Sequence, residues 1–283
     1  MVFRPKSLSR LSELRFARSL LSKGHVDTLE ESLAQIRWIK EESTTQEETL
    51  SRIRRRCRGE PLQYVLESTY FGPCKLECRP PILIPRPSTE HWVQELAKRV
   101  GVERQGQIAC LDIATGSGAI AILLKTLRPQ WKLFGIDKNP LAIALAKRNA
   151  TLNGSKVLLA EMELFHEKFR EDALALNDHE EFDIIVSNPP YLIQEVYEGL
   201  DPSVKAWEDR DALLARSPQG LGFHRRILEL TFGSANGLIK KDGIVVLEVE
   251  GSEQASLLLK EAGAEASCWR DGYGDDRAVV IGI

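Results

Sequence analysis

Apolar and polar residues follow two different periods along this chain, and the change between them divides it into units. From Leu29 to about Arg58, apolar residues recur at three- and four-residue steps between charged ones, which is the spacing of one face of an amphipathic helix. The Ser- and Thr-rich segment 43–47 interrupts this pattern and supplies an N-cap for a second helix. The sequence therefore predicts a leading helical unit, bounded at residues 1–61.

The next segment changes to an alternating pattern. Residues 62–79 alternate around Gly72-Pro73, which predicts a short β-hairpin. The proline-rich stretch 80–87 follows as a stiff extended connector, because each proline fixes its own φ and restricts the residue before it. We therefore expect residues 62–90 to form a linker made of a hairpin and an extended segment.

From residue 91 onward, short apolar runs alternate with helical patterns. The predicted strands lie near 108–113, 132–136, 156–160, 182–187, 243–249, 264–270 and 277–282. This alternation predicts an α/β fold with a seven-stranded, mostly parallel, doubly wound sheet over residues 91–283. Only the turn 271–275 separates the last two strands, so we expect the final strand to run antiparallel.

Composition is that of an ordinary globular protein. The net charge is −3 and the pI about 6.1, so no overall basic field indicates nucleic acid. No apolar run approaches the roughly 18–20 residues that span a bilayer. The five cysteines are scattered and lack a nearby histidine pair, which argues against both a disulfide framework and a metal site. We expect a monomer.

Two basic segments allow more than one interpretation. Residues 1–25 carry six Lys or Arg against one acid, with five serines, which is typical of a mitochondrial transit peptide. The alternative is the basic first helix of a folded domain in the cytoplasm, with an apolar stripe of Leu11, Leu14, Phe16, Leu20 and Leu21. The arginines of 52–58 predict a solvated helix face, or else a contact for an acidic or RNA-bound partner.

A glycine-rich turn is the candidate cofactor site. Ala114-Thr115-Gly116-Ser117-Gly118 follows the strand 108–113, and its glycines allow a ligand close to the backbone. Asp137 ends the next strand, at about the spacing of a ribose-binding acid. Asp112 places an anion beside the turn, which favours a cofactor with a positive charge and an amino group over a pyrophosphate. S-adenosylmethionine has both; otherwise the two acids are plain turn or helix-cap residues.

The tetrapeptide Asn188-Pro189-Pro190-Tyr191 is the candidate catalytic site. It follows a buried apolar run and forms a rigid turn at the carboxyl end of a central strand, where open α/β sheets bind ligands. The side-chain oxygen of Asn188 and the carbonyl of Pro189 can accept both hydrogens of a planar nitrogen, while Tyr191 packs on its face. Those bonds favour a nitrogen lone pair aimed at a donor methyl, so that placement does most of the catalytic work.

The chain resembles the release-factor glutamine N5-methyltransferases from about Gly59 to the C-terminus. The motifs that carry the resemblance are Gly59-Glu60-Pro61-Leu62, Leu83-Ile84-Pro85-Arg86-Pro87-Ser88-Thr89-Glu90, 111–120, Val186-Ser187-Asn188-Pro189-Pro190-Tyr191, 220–227 and 276–280. The resemblance implies a class I S-adenosylmethionine-dependent methyltransferase fold and methyl transfer to the glutamine of the Gly-Gly-Gln loop of a peptide-chain release factor. It implies cofactor contacts by Thr115, Gly116, Ser117, Gly118 and Asp137, acceptor contacts by Asn188 and Tyr191, and substrate docking by the leading helices.

Some positions depart from the family pattern. Ala114 stands where glycine is frequent, 161–164 lacks an Asp-aromatic pair, and 207–210 replaces Glu-Pro-Arg.

Two other functions stay open. A nucleic-acid amino methyltransferase would present a flipped base to the same tetrapeptide. A binding module that kept the fold and lost catalysis would have no need of Asp112, Asp137 and Asn188 together.

Overall fold

A computed structural model describes residues 8–103, 107–233, 237–263 and 265–282. The strands are β1 (Ser68–Phe71), β2 (Cys74–Glu77), β3 (Ala109–Ile113), β4 (Lys132–Asp137), β5 (Val157–Glu161), β6 (Phe182–Ser187), β7 (Ile239–Glu248), β8 (Ala266–Arg270) and β9 (Asp276–Ile281). The helices are α1 (Arg10–Ser22), α2 (Leu29–Glu41), α3 (Gln46–Arg56), α4 (Leu62–Leu66), α5 (Pro87–Glu103), α6 (Ala119–Leu127), α7 (Pro140–Leu152), α8 (Phe169–Leu176), α9 (Gln194–Gly199), α10 (Pro202–Trp207), α11 (Gly222–Phe232) and α12 (Ser252–Ala262).

The seven-stranded sheet has the order β5-β4-β3-β6-β7-β9-β8. The first five strands in that order are parallel, and β9 runs antiparallel to both β7 and β8. This confirms the predicted mostly parallel sheet with an antiparallel final strand. The strand β7 begins earlier than predicted, since Ile239 pairs with Phe182 across a register shift and the polar residues 240–242 hid that start.

Helices cover both faces of the sheet, because its central strands are buried on both sides. Alternate residues of β6 show this: Ile184 and Val186 pack into one core with α5 and α6, and Ile185 packs into the other with α8, α11 and α12. The β1–β2 hairpin adds Phe71 and Leu76 to the first core. The hairpin is thus anchored to the sheet domain.

Strand register sets the position of the candidate site. Ile113 pairs with Ile136 on one side and with Ser187 on the other. The residues that follow these three are Ala114, Asp137 and Asn188. Because neighbouring parallel strands lie about 5 Å apart, the sheet brings the glycine turn, the acid and the tetrapeptide to one edge.

The leading helices form their own small core from Ala17, Leu20, Ile36, Ile39, Ile53 and Val65, among others. The interpretation of α1 as a folded, basic helix fits this packing, although the predicted stripe is only partly right. Leu11 is 80% exposed and Leu21 is also exposed, because they lie on other sides of the helix from Leu20. Residues 1–7 of the predicted transit peptide lie outside the described residues.

The expectations about the linker and the arginines are each wrong in part, although the hairpin around Gly72-Pro73 forms and Arg54 and Arg58 are exposed. Residues 62–66 form helix α4 instead of a strand, because Val65 packs into the helical core. The helix stops before Glu67, whose φ is 62°. The predicted boundary at residue 90 also falls inside α5. Arg56 is buried and not solvated: its guanidinium donates to Gln35 Oε1 at 2.8 Å and to the His25 carbonyl at 2.6 Å.

No helix in the described ranges is both long enough and apolar enough to span a membrane.

Candidate active site

A cavity opens at the carboxyl edge of β3, β4 and β6. The predicted residues that line it are Ala114, Gly116, Asp137, Asn188 and Pro189. The sheet therefore brings the two halves of the predicted site together. The other predicted residues, Asp112, Thr115, Ser117, Gly118 and Tyr191, stand behind this lining.

The glycine turn adopts a backbone that explains its composition. Gly116 has a φ of 56°, and a Cβ built there would meet no atom within 4 Å. Gly118 has a φ of 82°, and a Cβ built there would lie only 3.0 Å from the Cβ of Ala146. Ala114 has a φ of 60°, a left-handed conformation that costs an L-residue about 1 kcal/mol. Glycine at position 114 would remove that cost, which accounts physically for the residue that the resemblance favours there.

Asp137 ties the turn to the following strand. Its Oδ2 accepts from the backbone N–H of Gly116 and its Oδ1 from that of Asn139, both at 2.9 Å. Burial raises the pKa of Asp137, and these two N–H donors offset the rise in part. Each carboxylate oxygen keeps an unused lone pair at the cavity wall, so Asp137 can accept from two hydroxyl groups of a ligand.

Asp112 is fully buried beneath the turn. Its Oδ2 accepts from the Thr115 hydroxyl at 2.6 Å, and within the described residues its Oδ1 has no hydrogen-bond partner. Burial raises the pKa of this carboxyl to about 7. The side chain does not line the cavity, so contact with a cofactor stays a prediction, while its bond to Thr115 supports the shape of the turn.

The tetrapeptide is fixed from several sides. The Ser187 hydroxyl donates to the Ile113 carbonyl at 2.7 Å, and Asn188 Nδ2 donates to Thr89 Oγ1 at 3.2 Å. The Tyr191 hydroxyl donates to Glu248 Oε1 at 3.3 Å, and its carbonyl accepts from Gln254 Nε2 at 2.8 Å. Tyr191 is half-buried, so its ring is held in place against the sheet domain.

The proline-rich connector covers the cavity. Ile82 and Leu83 form part of the lining, and the Tyr64 hydroxyl donates to the Ile82 carbonyl at 2.8 Å. Arg86 Nη2 lies 2.7 Å from both carboxylate oxygens of the buried Glu208. We call residues 80–87 the strap. Glu208 belongs to the segment 207–210 that departs from the family pattern, and its role is to anchor the strap.

Comparison with known proteins places the chain in a family. The model of the methyltransferase small domain matches residues 88–201. A release factor glutamine methyltransferase of Geobacter sulfurreducens is 36% identical over 231 residues, which cover 80% of this chain and 75% of the relative. The chain belongs to the release factor glutamine methyltransferases.

A further relative and one solved structure are also similar to this chain. The probable MRF1 mitochondrial N(5)-glutamine methyltransferase mtq1 of Schizosaccharomyces pombe is 30% identical over 240 residues, covering 80% of this chain and 76% of the relative. The catalytic domain of human METTL16, solved with an RNA hairpin, is 16% identical with a TM-score of 0.52, over 83% of this chain and 81% of that one. That likeness shows the class I methyltransferase fold.

Sequence reasoning missed the apolar wall of this methyltransferase cavity. Met162 and Leu164 after β5, Phe169 on α8, and Phe223 and Ile227 on α11 line it. None of them lies in the motifs that pointed to the cofactor site, although Phe223 and Ile227 lie in the motif 220–227 that contributes to the resemblance. Their helical spacing was an available signal, but the same spacing is equally typical of a plain core position.

These residues fit S-adenosylmethionine. The open space at Gly116 leaves room for a ligand against the backbone, and Asp137 offers acceptors for ribose hydroxyls. The apolar wall suits a flat base. Met162, Glu163 and Leu164 line the cavity in the segment that lacks the Asp-aromatic pair.

Proposed function

We propose that this enzyme transfers a methyl group from S-adenosylmethionine to the side-chain amide nitrogen of the glutamine in the Gly-Gly-Gln loop of a peptide-chain release factor. The observation that carries the proposal is the single cavity shared by Gly116, Asp137, Asn188 and Pro189 in a member of this family.

The cofactor supplies, when bound, a methyl group already activated by a sulfonium. The protein must therefore orient a weak nucleophile, since an amide lone pair is delocalised. Asn188 and Pro189 accept the two N–H hydrogens through their oxygens, which turns the lone pair of the acceptor nitrogen toward the methyl group. A nitrogen held in this way would take the methyl group that the bound cofactor supplies, and one amide proton would then pass to solvent water. Such placement lowers the barrier without a base of unusual pKa.

Tyr191 supports this arrangement from behind. Tyr191 does not belong to the cavity lining, and its hydroxyl donates to the buried Glu248. Burial and the neighbouring Glu248 raise the pKa of the Tyr191 hydroxyl, so it stays a neutral donor. We therefore assign Tyr191 to shaping the acceptor site and excluding water.

A labelling experiment tests the proposed activity. The purified enzyme is incubated with methyl-labelled S-adenosylmethionine and a release factor, or with the same factor carrying a Gln→Ala change in its Gly-Gly-Gln loop. We expect label on the first factor only. Equal labelling of both factors, or label that enters only added DNA or RNA, would refute the proposal, the second result in favour of a nucleic-acid amino methyltransferase.

We also propose a mitochondrial location. The basic, Ser-rich residues 1–25 support it, together with the similarity to a relative named as mitochondrial. Ala17 and Leu20 belong to the core of the helical unit, which favours a mature protein that keeps α1. A fluorescent reporter fused to residues 1–25 tests targeting, and a cytosolic reporter would contradict it.

A further inference from the structure

A chain of hydrogen bonds runs from a buried carboxylate to the catalytic amide. Glu248, at the end of β7, is fully buried. Its Oε2 accepts from Thr89 Oγ1 at 2.6 Å and from Trp92 Nε1 at 2.7 Å. The Thr89 oxygen accepts in turn from Asn188 Nδ2 at 3.2 Å. Thr89 is 4% exposed, so water has little access to this chain.

The donor and acceptor roles along this chain follow from the two hydrogen bonds that Glu248 Oε2 accepts. Indole N–H can only donate, and an oxygen without a hydrogen is the better acceptor for two donors. A proton on this carboxyl is therefore favoured on Oε1, which faces the Tyr191 hydroxyl. Thr89 has a single hydroxyl hydrogen, and its short bond to Oε2 uses it. The Thr89 oxygen can then only accept, which requires the NH₂ of Asn188 on that side.

The orientation of Asn188 matters because its two amide branches are nearly equal in shape and opposite in hydrogen-bonding character. With the NH₂ group bound to Thr89, the carbonyl oxygen is the branch left for the cavity. In the reversed orientation the NH₂ group would face the N–H hydrogens of an acceptor amide and repel them. Neither Thr89 nor Glu248 lines the cavity.

We propose that Thr89, held by Glu248, is a positioning residue that keeps the Asn188 carboxamide in the orientation required to bind the acceptor nitrogen. The inference rests on the proposed function of Asn188 and adds to it a relay of three side chains from three distant segments of the chain.

The test uses Thr89→Val, which keeps the branched shape and removes the hydroxyl, with Thr89→Ser as the matched control that restores it. The free energy of one neutral hydrogen bond corresponds to a factor of roughly two to ten in a rate constant. We therefore expect kcat to fall about five- to tenfold in Thr89→Val. The KM for the release factor and the cofactor Kd should change less than about twofold on the same scale. Thr89→Ser should recover most of kcat.

A double-mutant cycle separates positioning from loss of structure. In an Asn188→Ala background the relay has no amide to orient, so Thr89→Val should lower the residual kcat no further. Equal effects of Thr89→Val in both backgrounds, or a Thr89→Ser enzyme as slow as Thr89→Val, would overturn the proposal. Glu248→Gln should keep the relay, because Trp92 holds the amide oxygen at the Oε2 position; a loss as large as that of Thr89→Val would overturn this part.

A spectroscopic readout decides the question without turnover. The side-chain NH₂ signals of Asn188, assigned by their loss in Asn188→Ala, should shift in Thr89→Val and stay close to their original positions in Thr89→Ser. Unchanged signals in Thr89→Val would overturn the proposal. An enzyme that fails to label any release factor but shows the expected shift would contradict the proposed function and leave the relay supported.

Discussion

Replacing Asp112 with asparagine tests whether a buried acid governs the pH dependence of stability. Burial raises the pKa of Asp112 from its ordinary 3.8 to about 7. Between these values the native state keeps a proton that the unfolded chain has released. Stability from this group is therefore complete below about pH 4 and is lost as the pH rises through 7.

The magnitude follows from the gap of about three pKa units. At about 1.4 kcal/mol per unit, the wild-type protein loses about 4 kcal/mol from this source between pH 4 and pH 8. Asparagine cannot ionise, and its oxygen still accepts from Thr115, but its NH₂ group costs about 1–3 kcal/mol if it is buried without a partner. Asp112→Asn should thus be the less stable protein near pH 4.5 and the more stable one near pH 8.

Urea unfolding of the cofactor-free proteins at a series of pH values measures this difference. Titrations that do not interact with Asp112 are common to both proteins and cancel, so the free energy of unfolding of Asp112→Asn minus that of wild type should rise by about 3 kcal/mol from pH 4.5 to 8. Asp172→Asn, an exposed change of the same kind on α8, is measured alongside as the control. Parallel curves for wild type and Asp112→Asn would refute the reasoning.

Further substitutions test the turn and the strap. Gly116→Ala and Gly154→Ala both place a Cβ at a φ near 60° in open space, so each should cost about 1 kcal/mol in urea unfolding. Only Gly116→Ala should also weaken S-adenosylmethionine binding in calorimetry, because that residue lines the cavity. Ala114→Gly should raise the free energy of unfolding by about 0.5–1 kcal/mol by relieving a φ of 60°. Arg86→Ala should lower it by about 2–3 kcal/mol, and adding Glu208→Gln should recover part of the loss, since the uncompensated charge is then gone.

The polar half of the site was predictable because sheet geometry does the assembly. Buried parallel strands are recognisable in the sequence as apolar runs, and their carboxyl ends lie along one edge of the sheet regardless of the helices that connect them. Ala114, Asp137 and Asn188 each follow such a run. Their proximity therefore depends only on the register of the strands. Ile113 pairs with both Ile136 and Ser187, and this register places the three residues side by side.

The features that the sequence did not predict depend on tertiary packing. The five residues of α4 carry no period that separates helix from strand, and burial of Val65 decides between them. Arg56 sits in a run of arginines that composition alone assigns to solvent, yet the acceptors for its guanidinium come from Gln35 and from the backbone of His25. No local sequence pattern indicates a hydrogen-bond partner that lies 21 or 31 residues away along the chain.

The same distance limits what a catalytic motif can tell. Asn188 was identifiable as an acceptor because its neighbours are prolines at the end of a strand. Which of its two amide branches faces the substrate depends on Thr89, 99 residues away, and on Glu248, which is 159 residues from Thr89. A motif thus specifies the chemical groups of a site, while the direction of each hydrogen bond is determined by buried residues that never touch the substrate. The two levels can be separated experimentally, because Thr89→Val leaves every residue of the tetrapeptide in place.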